Sequence, residues 1–144
     1  MTTRDKIRYI DGIKYSLQEA YEFESRIIVK EIIRTQFFTI KPKKDGSGSI
    51  WILKPGFACD GPSGPTIDTP DSMRGAFEHD PKYAAMRMKL IGQEWRETAD
   101  DELEETLLAD GMNKERAAAW HWGVRHFAEG SADPKNIRKI LTAP

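Results

Sequence analysis

Residues 69–83, Thr-Pro-Asp-Ser-Met-Arg-Gly-Ala-Phe-Glu-His-Asp-Pro-Lys-Tyr, mark the point at which the sequence changes from strand-like to helical. Thr69 is a favourable N-cap residue and Pro70 suits the first helical turn, so the pattern predicts a helix that begins here. Pro81 removes one main-chain donor from this helix and predicts a kink. The residues expected on the helix are Met73, Ala76, Phe77 and Tyr83.

The first 58 residues are predicted to be mainly β, forming a small antiparallel sheet. Asp11-Gly12 between two apolar segments is typical of a tight β-hairpin. Glu and Ala are weak strand formers, so residues 18–30 are open to a helical alternative. The predicted strands cover residues 7–10, 13–15, 21–29, 32–40 and 50–53, with a turn over residues 43–49.

The remaining residues predict a stiff loop followed by three helices. Residues 59–70 form a Gly/Pro loop, residues 71–130 are helical, and residues 131–144 form a tail of loop with a short turn. Gly92 separates the first two helices, the second ends at Asp110-Gly111, and Asn113 caps the third, which ends at Gly130. The prediction is therefore an α+β fold in a single domain spanning residues 1–144.

Two helices show an apolar stripe at helical spacing. The second helix has Leu103 and Leu107, and the third has Ala117, Trp120, Val124 and Phe127. The four tryptophans, including Trp120 and Trp122, are interpreted as packing residues. His121 and His126 are expected on an exposed or half-buried helix face.

Composition excludes several classes of protein. The 22 basic and 23 acidic residues almost cancel, which argues against a general nucleic-acid-binding protein. No apolar run is long enough to predict a transmembrane helix, and the first residues lead into no signal-peptide core. Cys59 is the only cysteine, so no internal disulfide is expected, and we interpret it as a space-filling residue in a reducing cytoplasm.

The most informative chemical pattern joins the first two helices. His79 and Tyr83 are four residues apart and share one helix face. Asp100 lies three and seven residues before Leu103 and Leu107, so it is expected on or beside the buried stripe, where a carboxylate is costly unless it is paired. Two antiparallel helices would bring Asp100 to His79, and a histidine so oriented can take a proton from water.

Asp80 is expected to serve a different purpose, because it points about 100° away from His79 around the helix. Calcium takes oxygen ligands, and one carboxylate with several loop carbonyls is a sufficient set. The stiff loop that contains Asp60, Gly61 and Gly64 could offer those carbonyls. The calcium would polarise an ester carbonyl.

Structural alternatives remain open for the same residues. A lone helix histidine more often makes a structural hydrogen bond than a catalytic one. Thr98-Ala99-Asp100-Asp101 resembles a capping box, so Asp100 could instead favour a helix N-terminus.

One resemblance covers nearly the whole chain. Residues 54–69, Lys-Pro-Gly-Phe-Ala-Cys-Asp-Gly-Pro-Ser-Gly-Pro-Thr-Ile-Asp-Thr, resemble the domain-of-unknown-function 1353 family of tailed bacteriophages and prophages. Met73-Arg74-Gly75, His79-Asp80, Ala99-Asp100 and Asp110-Gly111-Met112 continue it. Cys59 stands where that family usually has an aromatic residue. The resemblance implies a phage protein made in the host cytoplasm, with incorporation into the virion left open.

A second resemblance covers residues 60–101. A glycine loop, His-Asp-x-x-Tyr and a later Asp follow the order found in phospholipase A2, with a spacing close to the compact enzyme domain of parvovirus capsids. It implies that the loop and Asp80 bind calcium, His79 activates water, Asp100 orients His79, and Tyr83 hydrogen-bonds that acid. The substrate would be phospholipid of the host envelope.

The sequence therefore supports two functional hypotheses. One is a calcium-dependent, phospholipase A2-like esterase. The other is a non-enzymatic phage component, either a virion or tail protein that binds other virion proteins or a factor that binds a host protein. In this alternative the His79, Asp80 and Asp100 side chains act only as a scaffold.

Overall fold

A computed structural model describes residues 6–7, 9–10, 15–59 and 69–136. Within these residues the fold is α+β, as predicted, with strands in the first part of the chain and helices in the second. The strands are β1 (Tyr9–Ile10), β2 (Tyr15–Leu17), β3 (Tyr21–Ser25), β4 (Ile33–Arg34), β5 (Phe38–Pro42), β6 (Ser49–Leu53) and β7 (Ala58–Cys59). The helices are α1 (Pro70–Arg87), α2 (Arg96–Ala109), α3 (Lys114–Phe127) and α4 (Glu129–Ala132), with 3-10 turns at Gln93–Trp95 and Pro134–Asn136.

The strands form two antiparallel sheets rather than the one predicted. The larger sheet has the order β3-β6-β5-β4, and the smaller has β1-β2-β7. In the smaller sheet Ile10 lies opposite Ser16, a register that an Asp11-Gly12 two-residue turn would not give. Residues 11–14 themselves lie outside the described residues.

Two predicted strands are shorter than expected, for visible reasons. The strand predicted over residues 21–29 ends at Ser25, because the next main-chain N–H, that of Arg26, donates to Glu102 of α2. The strand predicted over residues 32–40 is divided into β4 and β5. Thr35 makes the turn between them, where its hydroxyl accepts from the main-chain N–H groups of Phe37 and Phe38.

The inner face of the larger sheet is aromatic and packs against α1. Alternate residues of β3, β5 and β6 point inward, and the Trp51 ring lies between those of Phe23 and Phe38, at 5.9 Å and 5.8 Å between centroids. Phe57 then links this layer to Phe77 of α1, at 6.3 Å. Sheet and helices thus share one hydrophobic core.

Helix α1 begins as predicted and packs closely on α2. Thr69 is its N-cap with a capping box to Ser72, Pro70 is its first residue, and the helix continues through the buried Pro81. A Cβ at Gly75 would lie only 3.0–3.1 Å from side-chain carbons of Leu103 and Leu107. Gly75 therefore lets the two helices approach closely one turn before His79.

The later helices agree with the prediction at their starts and differ near the end. Asn113 caps α3 by accepting from the main-chain N–H of Arg116, and Gly111 has a positive φ of 97°. Gly130 does not end the third helix, which ends at Phe127; it lies inside α4, in a segment predicted as the end of α3 and the tail. Phe127 and Trp122, both predicted to pack, are exposed. Among the described residues, no helix has the length and apolar character needed to cross a membrane.

Candidate active site

Asp100 lies at the centre of the candidate site and is completely buried, with 0% of its surface exposed. Its Oδ1 is 2.8 Å from Nε2 of His79 and accepts from the Tyr83 hydroxyl at 2.5 Å. Its Oδ2 accepts from Nη1 of Arg125 at 2.9 Å. Burial alone would raise the pKa of Asp100, but bonds from His79, Tyr83 and Arg125 together hold that pKa below its usual value. The carboxyl group is therefore held ionised.

His79 is oriented by two neighbours. Because ionised Asp100 can only accept, Nε2 of His79 carries the proton of that bond. The ring also packs on Tyr83, with 4.2 Å between centroids. Among the described residues, none bonds Nδ1 of His79, and the residue keeps 8% of its surface exposed. A histidine held through Nε2 presents Nδ1 as its basic nitrogen.

Tyr83 and Arg96 connect the pair to the helix α3. The Tyr83 hydroxyl donates to Asp100 and accepts from Nε of Arg96 at 3.1 Å. Burial and then the bond to Asp100 raise the pKa of Tyr83, so it remains a donor. Nη2 of Arg96 donates to the carbonyl oxygens of Val124 and Arg125, both at 2.9 Å. Helices α1, α2 and α3 therefore all contribute to fixing His79.

The structure brings together the three predicted catalytic residues, His79, Tyr83 and Asp100. The capping alternative for Asp100 is wrong, because α2 already begins at Arg96 and Asp100 lies inside the helix. Sequence reasoning missed Arg96 and Arg125. Arg96 lies one helical turn before Asp100, but its bonds go to Tyr83 and to carbonyl oxygens of α3, and the bond of Arg125 also depends on how α3 packs.

The predicted metal ligands are only partly described. Asp80 is exposed on α1, and the two bonds that join His79, Tyr83 and Asp100 do not include it. Asp60, Gly61 and Gly64 lie outside the described residues. Over the described ranges, no group of three or more His, Cys, Asp or Glu side chains could hold a metal ion. Asp80 alone does not make a calcium site, since calcium takes six to eight oxygen ligands.

Two further buried carboxylates lie along the same interface between α1 and α2. Glu102 accepts from Nζ of Lys82 at 2.9 Å and from the Ser25 hydroxyl at 2.6 Å. Lys82 is itself only 1% exposed. Burial would raise the pKa of Glu102, but Lys82 and the other donors hold it below its usual value. Sequence reasoning missed this pair, because a Glu and a Lys on helix surfaces usually face solvent.

Glu78 is the other of these two buried carboxylates, and its pKa is shifted in the opposite direction. It accepts from the hydroxyl groups of Tyr21 at 2.5 Å and Thr106 at 3.3 Å, and Arg74 lies 3.6 Å away. Burial raises the pKa of Glu78, and neither Lys82 nor these neighbours fully offset that effect. The carboxyl group is therefore protonated more readily than an exposed one.

His121 makes a second His–Asp pair that differs from the first in exposure. Its Nε2 lies 2.8 Å from Oδ1 of Asp101, the residue after Asp100. Both partners are partly solvent-exposed, as expected for His121 from its helix face. This pair therefore offers a natural control for the buried one.

Comparison of the chain with protein-family models, with curated proteins and with solved structures finds no match. The geometry of the site is therefore the observation from which function is inferred.

Proposed function

We propose that the protein is a bacteriophage-encoded, phospholipase A2-like esterase in which His79 is the general base. The observation that carries the proposal is the buried Asp100 carboxylate, which binds Nε2 of His79 and the Tyr83 hydroxyl through one oxygen. This is the pairing that the phospholipase A2 resemblance implies for these three positions. A buried, ionised acid that orients a histidine is also what a water-activating base requires.

The chemical step follows from the orientation of His79. Nδ1 takes a proton from water as the water oxygen forms a bond to the ester carbonyl carbon. The ester C–O bond then breaks, and the imidazolium returns the proton to the leaving alcohol. Asp100 keeps the productive tautomer and stabilises the imidazolium. Tyr83 and Arg125 are positioning residues, because they keep Asp100 ionised and in place.

Calcium and phospholipid enter the proposal through the resemblance. Asp80 with the loop that contains Asp60, Gly61 and Gly64 would hold the ion, which would polarise the ester carbonyl. Because Asp80 is the only described member of that set, the proton transfer above is derived without calcium. The substrate would be phospholipid of the host envelope, met by protein made in the host cytoplasm or carried in the virion.

The test is mass-spectrometric detection of fatty acid and lysophospholipid. The protein is mixed with phosphatidylglycerol/phosphatidylethanolamine micelles, with calcium or with chelator. We expect release that requires calcium and is lost in His79→Ala. His121→Ala is the matched control, because it removes the half-exposed His–Asp pair and should leave release unchanged.

Two results would overturn the esterase. One is no release by folded protein together with no calcium-induced rise in melting temperature. The other is equal release by wild type and His79→Ala.

A second candidate is favoured by the other buried carboxylates. Glu78 and Glu102 line the same helix interface with no histidine partner, so Asp100 could equally belong to a polar layer that holds α1 to α2. The protein would then be a non-enzymatic virion or tail component, or a factor that binds a host protein. A mass-spectrometric inventory of purified particles, with no lipid release in the assay above, would support the virion role.

A further inference from the structure

Helix α3 has a solvent-facing aromatic cluster. Trp122 is 56% exposed and Phe127 is 69% exposed. The Trp122 ring lies 4.5 Å from the His126 ring and 5.4 Å from the Phe127 ring, between centroids. Large aromatic side chains grouped on the surface mark an interaction site more often than singly exposed ones do.

Two members of the cluster, Trp122 and His126, belong to a regular face of α3. Four exposed residues, Glu115, Ala119, Trp122 and His126, follow one another at intervals of four, three and four. This spacing puts them in one stripe along the helix. The opposite face carries Ala117, Trp120 and Val124 and is buried against the core.

Two copies of this stripe are complementary when their helices run antiparallel. Around a two-fold axis between residues 120 and 121, Ala119 faces Trp122 and Glu115 faces His126. A large side chain thus meets a small one, and a carboxylate meets an imidazole that can donate to it. Ala118 and Gly123 form the next pair, and a Cβ at Gly123 would have no neighbour within 4 Å, so a second helix has room to approach.

We propose that two copies of the chain associate through α3 as an antiparallel, two-fold symmetric helix pair. Trp122 of each copy packs on Ala119 of the other, and Glu115 lies opposite His126. A two-fold interface requires one patch to complement itself, which this stripe does and a surface shaped for a different partner need not do. Since α3 has 14 residues, about 21 Å, the contact is small and the dimer should be weak, with a micromolar dissociation constant.

Sedimentation velocity of the full chain over a concentration series tests the proposal. We expect a monomer–dimer equilibrium in which Trp122→Ser raises the dissociation constant at least about tenfold, since a central tryptophan carries much of such an interface. Leu108→Ser is the matched control. Leu108 is 41% exposed on α2 and is not part of the stripe, so its replacement should leave the equilibrium unchanged.

A charge exchange tests the orientation. Glu115→Arg should weaken the dimer, and Glu115→Arg with His126→Glu should restore it, because the two positions face each other only in the antiparallel pair. Circular dichroism would show that each variant is folded. The proposal is overturned by a monomeric wild type, by a Trp122→Ser protein that still dimerises, or by failure of the double exchange. A monomer that binds anionic vesicles through Trp122 would assign the face to lipid instead.

Discussion

Asp100 and Asp101 are adjacent carboxylates in opposite environments, so their contributions to the free energy of unfolding can be measured separately. Asp100 is fully buried and accepts from three side chains, whereas Asp101 is partly exposed and bonds His121. We expect Asp100→Ala to lower the free energy of unfolding by about 3–5 kcal/mol, because it leaves buried donors and the Arg125 charge without their acceptor. Asp101→Ala should cost no more than about 1 kcal/mol. Urea denaturation of both variants measures the difference.

Equal losses in the two variants would mean that the bonds of Asp100 are no stronger than those of a surface pair. Its role in orienting His79 would then lose its energetic basis.

For single residues, the sequence predicted those contacts that follow from residue spacing within a helix. His79 and Tyr83 are one turn apart, and Asp100 lies on the stripe of Leu103, so their meeting could be predicted. Arg125 could not, because its bond to Asp100 depends on how α3 packs on α2. Lys82 was missed because a lysine gives no local sign that a sheet and a helix will enclose it.

Arg96 joins three helices and gives a prediction at the scale of elements. It begins α2, donates to the Tyr83 hydroxyl, and binds the carbonyl oxygens of Val124 and Arg125 near the end of α3. Those late carbonyls have few intrahelical partners, so a planar, forked donor is well suited to them. We expect Arg96→Lys to destabilise the protein by about 1–3 kcal/mol and to speed amide exchange in the last turn of α3.

Arg87→Lys is the control for this experiment. Arg87 makes a solvent-exposed bond to the carbonyl oxygen of Ser131, which lysine can replace at little cost. Unchanged exchange at the end of α3 in Arg96→Lys would show that packing, rather than Arg96, fixes that helix.

The helix boundaries that were predicted well depend on a single residue's chemistry. Asn113 accepts a main-chain bond as an N-cap, the main-chain N–H of Thr69 donates to the Ser72 hydroxyl, and Gly111 supplies a positive φ. Gly130 failed as a boundary because the chain turns at Ala128 and then forms α4 around it. The break between β4 and β5 was missed because the Thr35 turn uses a hydroxyl group in a segment of high strand propensity.

For the whole molecule, the order of strand-rich and helical segments predicted the α+β class but not the number of sheets. The smaller sheet exists because β7 pairs with β2 across more than 40 residues of sequence. No local pattern specifies such a pairing. The first two strands do pair antiparallel, but Ile10 lies opposite Ser16, which is not the register of the predicted two-residue Asp-Gly hairpin.

The three buried carboxylates, Asp100, Glu102 and Glu78, make the free energy of unfolding depend on pH in two opposing ways. Asp100 and Glu102 have pKa values below their usual 3.8 and 4.5, so the stability they contribute is present above those values. It is lost as the pH falls through their folded pKa values. The pKa of Glu78 lies above 4.5, so its contribution is complete below 4.5 and is lost as the pH rises through its folded pKa.

The variants Glu102→Gln and Glu78→Gln separate the two opposing pH effects. Each variant is the control for the other. At pH 7, Glu102→Gln should lower the free energy of unfolding, because buried Lys82 loses its charged partner. Glu78→Gln should raise it or leave it unchanged, because glutamine keeps an acceptor for Tyr21 and carries no charge to bury. The Glu78→Gln difference should shrink as the pH falls through the raised folded pKa of Glu78 and should be gone by about pH 4.5. The Glu102→Gln difference should shrink only below about pH 4.5, because the folded pKa of Glu102 is lowered. Urea denaturation from pH 3 to 8 measures them, and a destabilised Glu78→Gln at pH 7 would show that the Arg74 ion pair outweighs burial.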